Sequence, residues 1–139
     1  MTDAERATLI EELRRDEGVE PFPYTDTVGK LTIGVGRNLT DRGLSDDEID
    51  YLLRSDIDLC IGDLNRGVPW WVTLSPVRQR VLINMCFNLG WPRLRGFVRT
   101  LSAMRRGDFA TAAEGMRSSL WAKQVGARAE RLAQMMERG

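Results

Sequence analysis

One short segment of this chain has the residue pattern of a β-strand, and it limits the folds that the chain can adopt. Residues 31–36, LTIGVG, alternate apolar side chains with threonine and glycine, which is the two-residue period of a strand. The preceding residues 26–30 are typical of a hairpin turn, in which Gly29 can take a positive φ. The rest of the chain carries helical patterns, so we predict a mostly helical α+β fold with one small hairpin sheet near the N-terminus.

Helix signals flank this hairpin on both sides. A first helix is predicted over residues 3–17, because its apolar residues share one face and Gly18 follows it. After the hairpin, Ser45 and Glu48 have the spacing of a capping box. They predict a second helix over about residues 46–64.

A third helix is predicted after a break in the middle of the chain. Ser75 is a suitable N-cap, and Pro76 is suited to the first helical position. Residues 77–90 are apolar on most sides, which predicts a central, buried helix. Shorter helices, each opened or closed by glycine or aspartate, are predicted from there to the C-terminus.

The composition is that of a soluble globular protein, with 42% apolar and 29% charged residues. The length of 139 residues suits one domain, and no apolar run is long enough to span a bilayer. The N-terminus lacks the basic start and apolar run of a signal peptide. We therefore expect the protein to stay in the cytoplasm where it is made until something releases it.

The chain has no histidine, and its two cysteines, Cys60 and Cys86, are not clustered. A zinc site is therefore not predicted, and no other metal or cofactor is expected. We interpret the cysteines as buried free thiols, with a disulfide as the alternative.

The net charge of zero conceals an uneven distribution. Residues 1–65 carry seven Lys and Arg against sixteen Asp and Glu, whereas residues 66–139 carry thirteen against four. A basic surface suited to a polyanion is one interpretation, and solvated arginines or mutual attraction of the two halves is the other. Because no nucleic-acid-binding motif is visible, nucleic acid is not an expected partner, and a bacterial cell wall is the other polyanion considered.

Two carboxylates, Glu17 and Asp26, flank a loop that Pro21 and Pro23 stiffen. Glu17 precedes Gly18 at a helix end, where the helix dipole disfavours an ionised carboxylate, and an apolar wall beside it would strengthen that effect. Asp26 begins a turn, whose N–H groups and solvent favour the ionised form. Such a pair has the outline of a general acid and a charged partner, although both residues are also ordinary at a helix end and a turn.

A bare strand face is predicted beside this pair. If the strand continues to residue 36, Thr32 shares one face with Gly34 and Gly36. A bulky ligand could then lie against the backbone, within reach of the threonine hydroxyl.

Five segments extend this pattern along nearly the whole chain: DEG (16–18), YTDTVGKLTIGVG (24–36), LINMCFNLG (82–90), GF (96–97) and SLW (119–121). In this order they resemble the phage-type lysozymes, glycoside hydrolase family 24. The resemblance implies a two-lobed lysozyme-like domain over residues 1–139. The front lobe would hold the small sheet at about 19–45, the connecting helix would span about 46–64, and the helical back lobe would span about 66–139, with helix 3–17 packed on it.

The resemblance also implies an activity. The protein would hydrolyse the β-1,4 bond between N-acetylmuramic acid and N-acetylglucosamine in peptidoglycan, with inversion. Glu17 would be the general acid, while Asp26 and Thr32 would stabilise charge and place the water. Three further positions match residues of the family's glycan site: Phe87, Thr100 and Arg128. A monomer is implied, with a pore-forming holin to release it from the host cytoplasm to the periplasmic wall.

One departure and two alternatives accompany the resemblance. Arg37 stands where the family's type member has a histidine, so a buried imidazole–carboxylate pair is lost there. A lytic transglycosylase needs an acid but no second carboxylate, and the presence of Asp26 argues against it. A catalytically weak, wall-binding virion component is the other alternative, and the intact Glu17, Asp26 and Thr32 argue against that.

Overall fold

The computed structural model describes residues 1–139, which form two compact units, Met1–Asp50 and Tyr51–Gly139. The N-terminal unit contains, in order, α1 (Asp3–Glu17), β1 (Glu20–Thr25), β2 (Leu31–Gly34), β3 (Arg37–Asn38) and the start of α2 (Asp46–Gly67). After α2 the C-terminal unit contains a 3-10 helix (Pro69–Thr73), α3 (Pro76–Leu89), α4 (Trp91–Leu94), α5 (Val98–Arg105), α6 (Phe109–Arg117), α7 (Leu120–Val125) and α8 (Ala127–Arg138). The predicted α+β fold, mostly helical with one small sheet, is confirmed.

Helix α1 has the predicted bounds and a complete N-terminal cap. The hydroxyl of Thr2 accepts the N–H of Glu5, and the Glu5 carboxylate accepts the N–H of Thr2. No residue of α1 is buried, and its three large apolar side chains, Leu9, Ile10 and Leu13, are exposed. The packing of this helix on the back lobe stays a prediction.

The three strands form an antiparallel sheet in the order β1-β2-β3. Tyr24 lies opposite Thr32, and the turn between β1 and β2 has Gly29 at φ +83°, so the predicted hairpin is confirmed. The predicted strand through residue 36 is wrong, because β2 ends at Gly34. Gly34 and Gly36 have φ values of +70° and +67°, which turn the chain where an extended strand would continue.

Arg37 connects the short β3 strand to the start of α2. Its guanidinium donates to the carbonyl of Gly43 (3.3 Å) and forms an ion pair with Glu48. Glu48 also completes the predicted capping box with Ser45, whose hydroxyl accepts the Glu48 N–H. Hydrogen bonds from Ser45, together with Arg37, lower the pKa of Glu48 to about 2.

We expect Glu48→Gln to remove a contribution to the free energy of unfolding that the wild type loses at low pH. The Glu48 pKa is about 2 in the folded protein and about 4.3 in an unfolded chain. Its ionised form therefore stabilises the fold above about pH 4.3, and that contribution is lost as the pH falls toward 2. The free energy of unfolding, measured between pH 7 and pH 2, should fall further in the wild type than in Glu48→Gln.

A matched control exists in α1. Glu12 is exposed and forms no hydrogen bond or ion pair, so Glu12→Gln should follow the wild-type pH profile. Parallel profiles for the wild type and Glu48→Gln would show that the Arg37–Glu48–Ser45 cluster does not stabilise the fold.

Helix α3 forms the centre of the C-terminal unit, as predicted. Ser75 caps it, accepting the N–H of Arg78 (3.2 Å). Its buried residues join one core with α2, α5, α6 and α8: Val81, Leu82, Met85, Cys86 and Leu89. The C-terminal unit has many buried side chains, whereas in residues 1–50 the only buried residue is Thr32.

Helix α2 ends three residues later than predicted, at Gly67. The reason lies in the core, because Leu64 is fully buried and its carbonyl accepts the N–H of Val68 (2.9 Å). A Cβ atom on Gly67 would lie 2.0 Å from the Trp91 ring. Glycine is therefore needed where the indole packs against the end of α2.

Both cysteines are buried free thiols, which confirms that prediction. Burial raises the pKa of the Cys86 thiol to about 12 and also raises the pKa of Cys60. Trp71 and Trp121 are core residues whose indole N–H groups donate to asparagine side chains, each at 2.8 Å. No helix combines the length and apolar character that crossing a membrane requires.

Candidate active site

Glu17 is placed by the end of α1 and by the turn after β2. The helix stops there because Gly18 has a φ of +77° and donates its N–H to the carbonyl of Arg14 (3.0 Å). The side chain is exposed, so it is not desolvated in this structure. Its carboxylate lies against Gly36, since a Cβ atom built there would be 2.9 Å from Oε2.

Asp26 is held by the hairpin turn that it begins. Its Oδ1 accepts the N–H groups of Val28 (3.0 Å) and Lys30 (2.8 Å), and its own N–H donates to the Lys30 carbonyl (2.9 Å). The N–H groups expected around this carboxylate are therefore present. Oδ2 has no hydrogen-bond partner within the protein, so one carboxylate oxygen shapes the turn and the other is left for a ligand or water.

Thr32 lies in the middle of the sheet and is only 4% exposed. It is opposite Tyr24 on β1 and Asn38 on β3. Its hydroxyl donates to the carbonyl of Lys30 (3.0 Å). Because the hydroxyl proton is used, the oxygen is left to accept a hydrogen bond, as it would from a bound water.

Lys30, which was not among the predicted site residues, links the side chains of Asp26 and Thr32. Its N–H bonds Asp26 and its carbonyl bonds Thr32, so the backbone of one residue sets both positions. The ammonium group of Lys30 bonds Asp41 (3.1 Å), which ties this residue to the loop after β3. In the sequence, Lys30 stands between the aspartate that begins the turn and the first residue of the predicted strand. That position could have indicated that its backbone groups bond both Asp26 and Thr32.

Two of the three predicted back-lobe site residues lie in one groove of the C-terminal unit. The groove, of about 490 Å³, is lined by Leu53, Ile57, Arg80, Ile83, Asn84, Phe87 and Arg128. Phe87 is 43% exposed there, although its helix is otherwise the core of the unit. Arg128 donates from Nε (3.0 Å) and Nη2 (2.7 Å) to Oδ1 of Asn84, so it bonds an amide and forms no salt bridge.

Thr100 lies outside this groove. It is 6% exposed and packs where α5 meets α6, and a Cβ atom on Gly115 would be 2.4 Å from its hydroxyl oxygen. Glycine at position 115 therefore allows the close helix contact. The groove residues Arg80 and Asn84 were missed by the sequence analysis, although their spacing from Phe87 of seven and three residues places all three on one face of α3.

Comparison with known proteins identifies the family of this chain. The model of the phage lysozyme family matches residues 14–138. The chain is 28% identical to the pre-baseplate central spike protein Gp5 of Enterobacteria phage T4, in an alignment that covers 99% of this chain and 29% of that protein. The chain thus spans less than a third of the spike protein's length.

Two relatives from Dictyostelium discoideum match over almost their full length. They are the probable T4-type lysozymes 2 and 1, which are 24% and 23% identical to this chain. Each alignment covers 96% of this chain and 95% of the relative. Since the family model spans nearly all of the sequence, including both candidate carboxylates, the chain belongs to the phage lysozyme family of glycoside hydrolases.

Proposed function

We propose that this protein is a lysozyme that hydrolyses the β-1,4 bond between N-acetylmuramic acid and N-acetylglucosamine in peptidoglycan, with inversion at the anomeric carbon. The observation that carries this proposal is that the backbone of Lys30 hydrogen-bonds both Asp26 and Thr32. The turn after β2 in the same sheet contacts Glu17 at Gly36. Family membership supplies the substrate class.

Glu17 is the proposed general acid. It would protonate the glycosidic oxygen as the bond to the leaving sugar breaks. Its exposed carboxylate makes no ion pair with any arginine or lysine, so no bonded cation holds it away from a substrate oxygen. A proton donor has to reach the leaving oxygen within hydrogen-bond distance, and an exposed side chain at a helix end can do so.

Asp26 and Thr32 are the proposed holders of the attacking water. The free Oδ2 of Asp26 and Oγ1 of Thr32 can each accept a hydrogen bond from the water, because the Thr32 hydroxyl donates its own proton to the Lys30 carbonyl. As the water oxygen bonds the anomeric carbon, the released water proton passes to the Asp26 carboxylate. A water held by two acceptors presents a lone pair to the anomeric carbon. Inverting enzymes use this arrangement, with the carboxyl groups roughly 6.5–9.5 Å apart so that water fits between them and the sugar.

Phe87 and Arg128 are the proposed sugar contacts of the C-terminal unit. The exposed phenyl ring offers an apolar face to a sugar ring. The guanidinium is oriented by Asn84, and its remaining N–H groups can bond acetamido or hydroxyl oxygens. For Thr100 the proposal rests on the resemblance alone, because its side chain is buried.

The proposal is tested by clearing of permeabilised Gram-negative cells and by the chemistry of the released sugar ends. Hydrolysis leaves reducing ends, whereas a lytic transglycosylase leaves anhydro ends. Anhydro products would therefore show that the protein is a lytic transglycosylase and not a hydrolase. Similarity to a phage spike protein favours a second candidate, a virion component that binds the wall with weak catalysis. Wall binding without release of reducing ends would support this second candidate.

We further propose that the protein acts as a monomer and reaches the periplasmic wall from the host cytoplasm. A pore-forming holin would release it in a lysis cassette. For a virion component, the particle would deliver it instead. Muramidase activity in purified phage particles would distinguish the second route from the first.

The basic surface of the C-terminal unit predicts salt-dependent binding to the wall. Five arginines of α4, α5 and their flanking turns are exposed: Arg93, Arg95, Arg99, Arg105 and Arg106. Of these, Arg106 has a carboxylate partner, Asp108. Exposed charges are screened over about 10 Å at 0.1 M salt, so binding to isolated peptidoglycan should weaken steeply as salt is added.

The double variant Arg95→Gln/Arg99→Gln should bind peptidoglycan less tightly and with a shallower salt dependence. Each exposed ion pair lost between an arginine and an anionic group of the wall should reduce the binding free energy by about 0.2–1 kcal/mol. Arg6→Gln/Arg42→Gln removes the same charge from the N-terminal unit and is the control. If both double variants change binding equally, overall charge and not this surface determines affinity.

A further inference from the structure

The glycine at position 36 has a neighbour that other turn glycines of the N-terminal unit lack. A Cβ atom there would lie 2.9 Å from Oε2, 3.3 Å from Cδ and 3.5 Å from Cγ of Glu17. Around Gly29 and Gly43, which also have positive φ values, nothing lies within 4 Å of such an atom. The contact therefore reflects the position of residue 36 and is not a general property of glycine turns.

The sheet brings this glycine to the end of α1. Glu20, three residues after Glu17, pairs with Gly34 across β1 and β2. The turn that follows β2 must then pass beside the last residue of the helix. The Glu17 carboxylate lies over the α-carbon of Gly36. The carboxylate can occupy this position because glycine has a hydrogen atom where other residues have a Cβ atom.

We infer that Gly36 is a positioning residue for the proton donor, and this inference rests on the function proposed above. A methyl group at position 36 would come closer to Oε2 than an ordinary carbon–oxygen contact allows. The atoms that it meets are the far end of a flexible side chain, so Glu17 can rotate away at little energetic cost. The fold is retained and the carboxylate is displaced, which changes where the proton is delivered.

Gly36→Ala separates this role from the cost of backbone strain when it is compared with Gly43→Ala. Gly36 has a φ of +67° and Gly43 a φ of +61°, so the backbone strains alanine to a similar degree at both positions. The two variants should therefore show similar free energies of unfolding. Only Gly36→Ala should lose activity, because misplacing a catalytic group by about 1 Å can cost about 10²-fold in rate.

The expected result for Gly36→Ala is a fall of about 10²-fold in kcat with little change in KM, while Gly43→Ala keeps both constants. NMR of protein labelled at the glutamate side-chain carboxyl carbons gives a second readout, and the Glu17 signal should shift in Gly36→Ala but not in Gly43→Ala. Equal activity of the two variants, or an unshifted Glu17 signal, would overturn the inference. If Glu17→Gln is fully active, the proposed mechanism itself fails; if Glu17→Gln is inactive and Gly36→Ala is active, only the positioning role fails.

Discussion

Glu17→Gln is expected to fold like the wild type and to lose nearly all lytic activity. The amide has almost the same shape as the carboxyl group but cannot donate a proton to the glycosidic oxygen. General acid catalysis is typically worth about 10²–10⁴-fold, and glycoside hydrolysis depends on it because the leaving sugar is a poor leaving group. The loss should appear in kcat, measured as the rate of reducing-end release from purified peptidoglycan.

The neighbouring acid Asp16 provides a matched control for this variant. Asp16 is exposed at the end of the same helix and is bonded only to Arg15 (3.1 Å), so Asp16→Asn changes the same local charge without touching the proposed donor. It should lyse cells at close to the wild-type rate. Wild-type lysis by a folded Glu17→Gln protein would exclude Glu17 as the acid.

Asp26→Asn is expected to fold normally and to lose about 10²–10³-fold in kcat, the effect of removing one electrostatic contact to a transition state. The asparagine oxygen can still accept the N–H groups of Val28 and Lys30, as Oδ1 of Asp26 does, so the turn is retained. What is lost is the negative charge proposed to face the sugar and the proposed acceptor for the water. The measurement is kcat together with the unfolding temperature.

Asp26→Ala distinguishes the role of Asp26 in the turn from its role in catalysis. Alanine leaves the exposed N–H of Val28 and the half-buried N–H of Lys30 without their acceptor, and a typical hydrogen bond contributes about 0.5–1.5 kcal/mol to stability. Asp26→Ala should therefore be less stable than Asp26→Asn but no more active. If Asp26→Asn retained wild-type kcat, Asp26 would be a structural turn residue alone, as aspartate often is at such positions.

The sequence was most informative where the deciding interactions lie within a few residues of one another. The bounds of α1, the hairpin at Gly29, the Ser45–Glu48 capping box and the Ser75 cap were all predictable. In each case a side chain bonds a backbone group three residues away, or a glycine adopts a φ that other residues avoid. The order of the motifs along the chain was also sufficient to identify the family.

Predictions that depended on surroundings were less successful. The strand predicted through residue 36 ends at Gly34 and is followed by a turn, because Gly34 and Gly36 leave the extended conformation. Alternation of residue types does not distinguish a strand from a strand followed by a glycine turn. Thr100 is buried between two helices, because its exposure depends on how those helices pack, and its part in a glycan site stays a prediction.

The amino-acid sequence by itself determined the family, the helix caps, the hairpin and the candidate carboxylates, because each depends on residues that are close together along the chain. Only the tertiary structure decided that Lys30 joins Asp26 to Thr32, that the Glu17 carboxylate lies against Gly36, and which residues line the groove around Phe87. These contacts depend on the register between strands and on the rotation of packed helices. A shift of one residue in either would move the same side chains to a different face, and no local pattern specifies that choice.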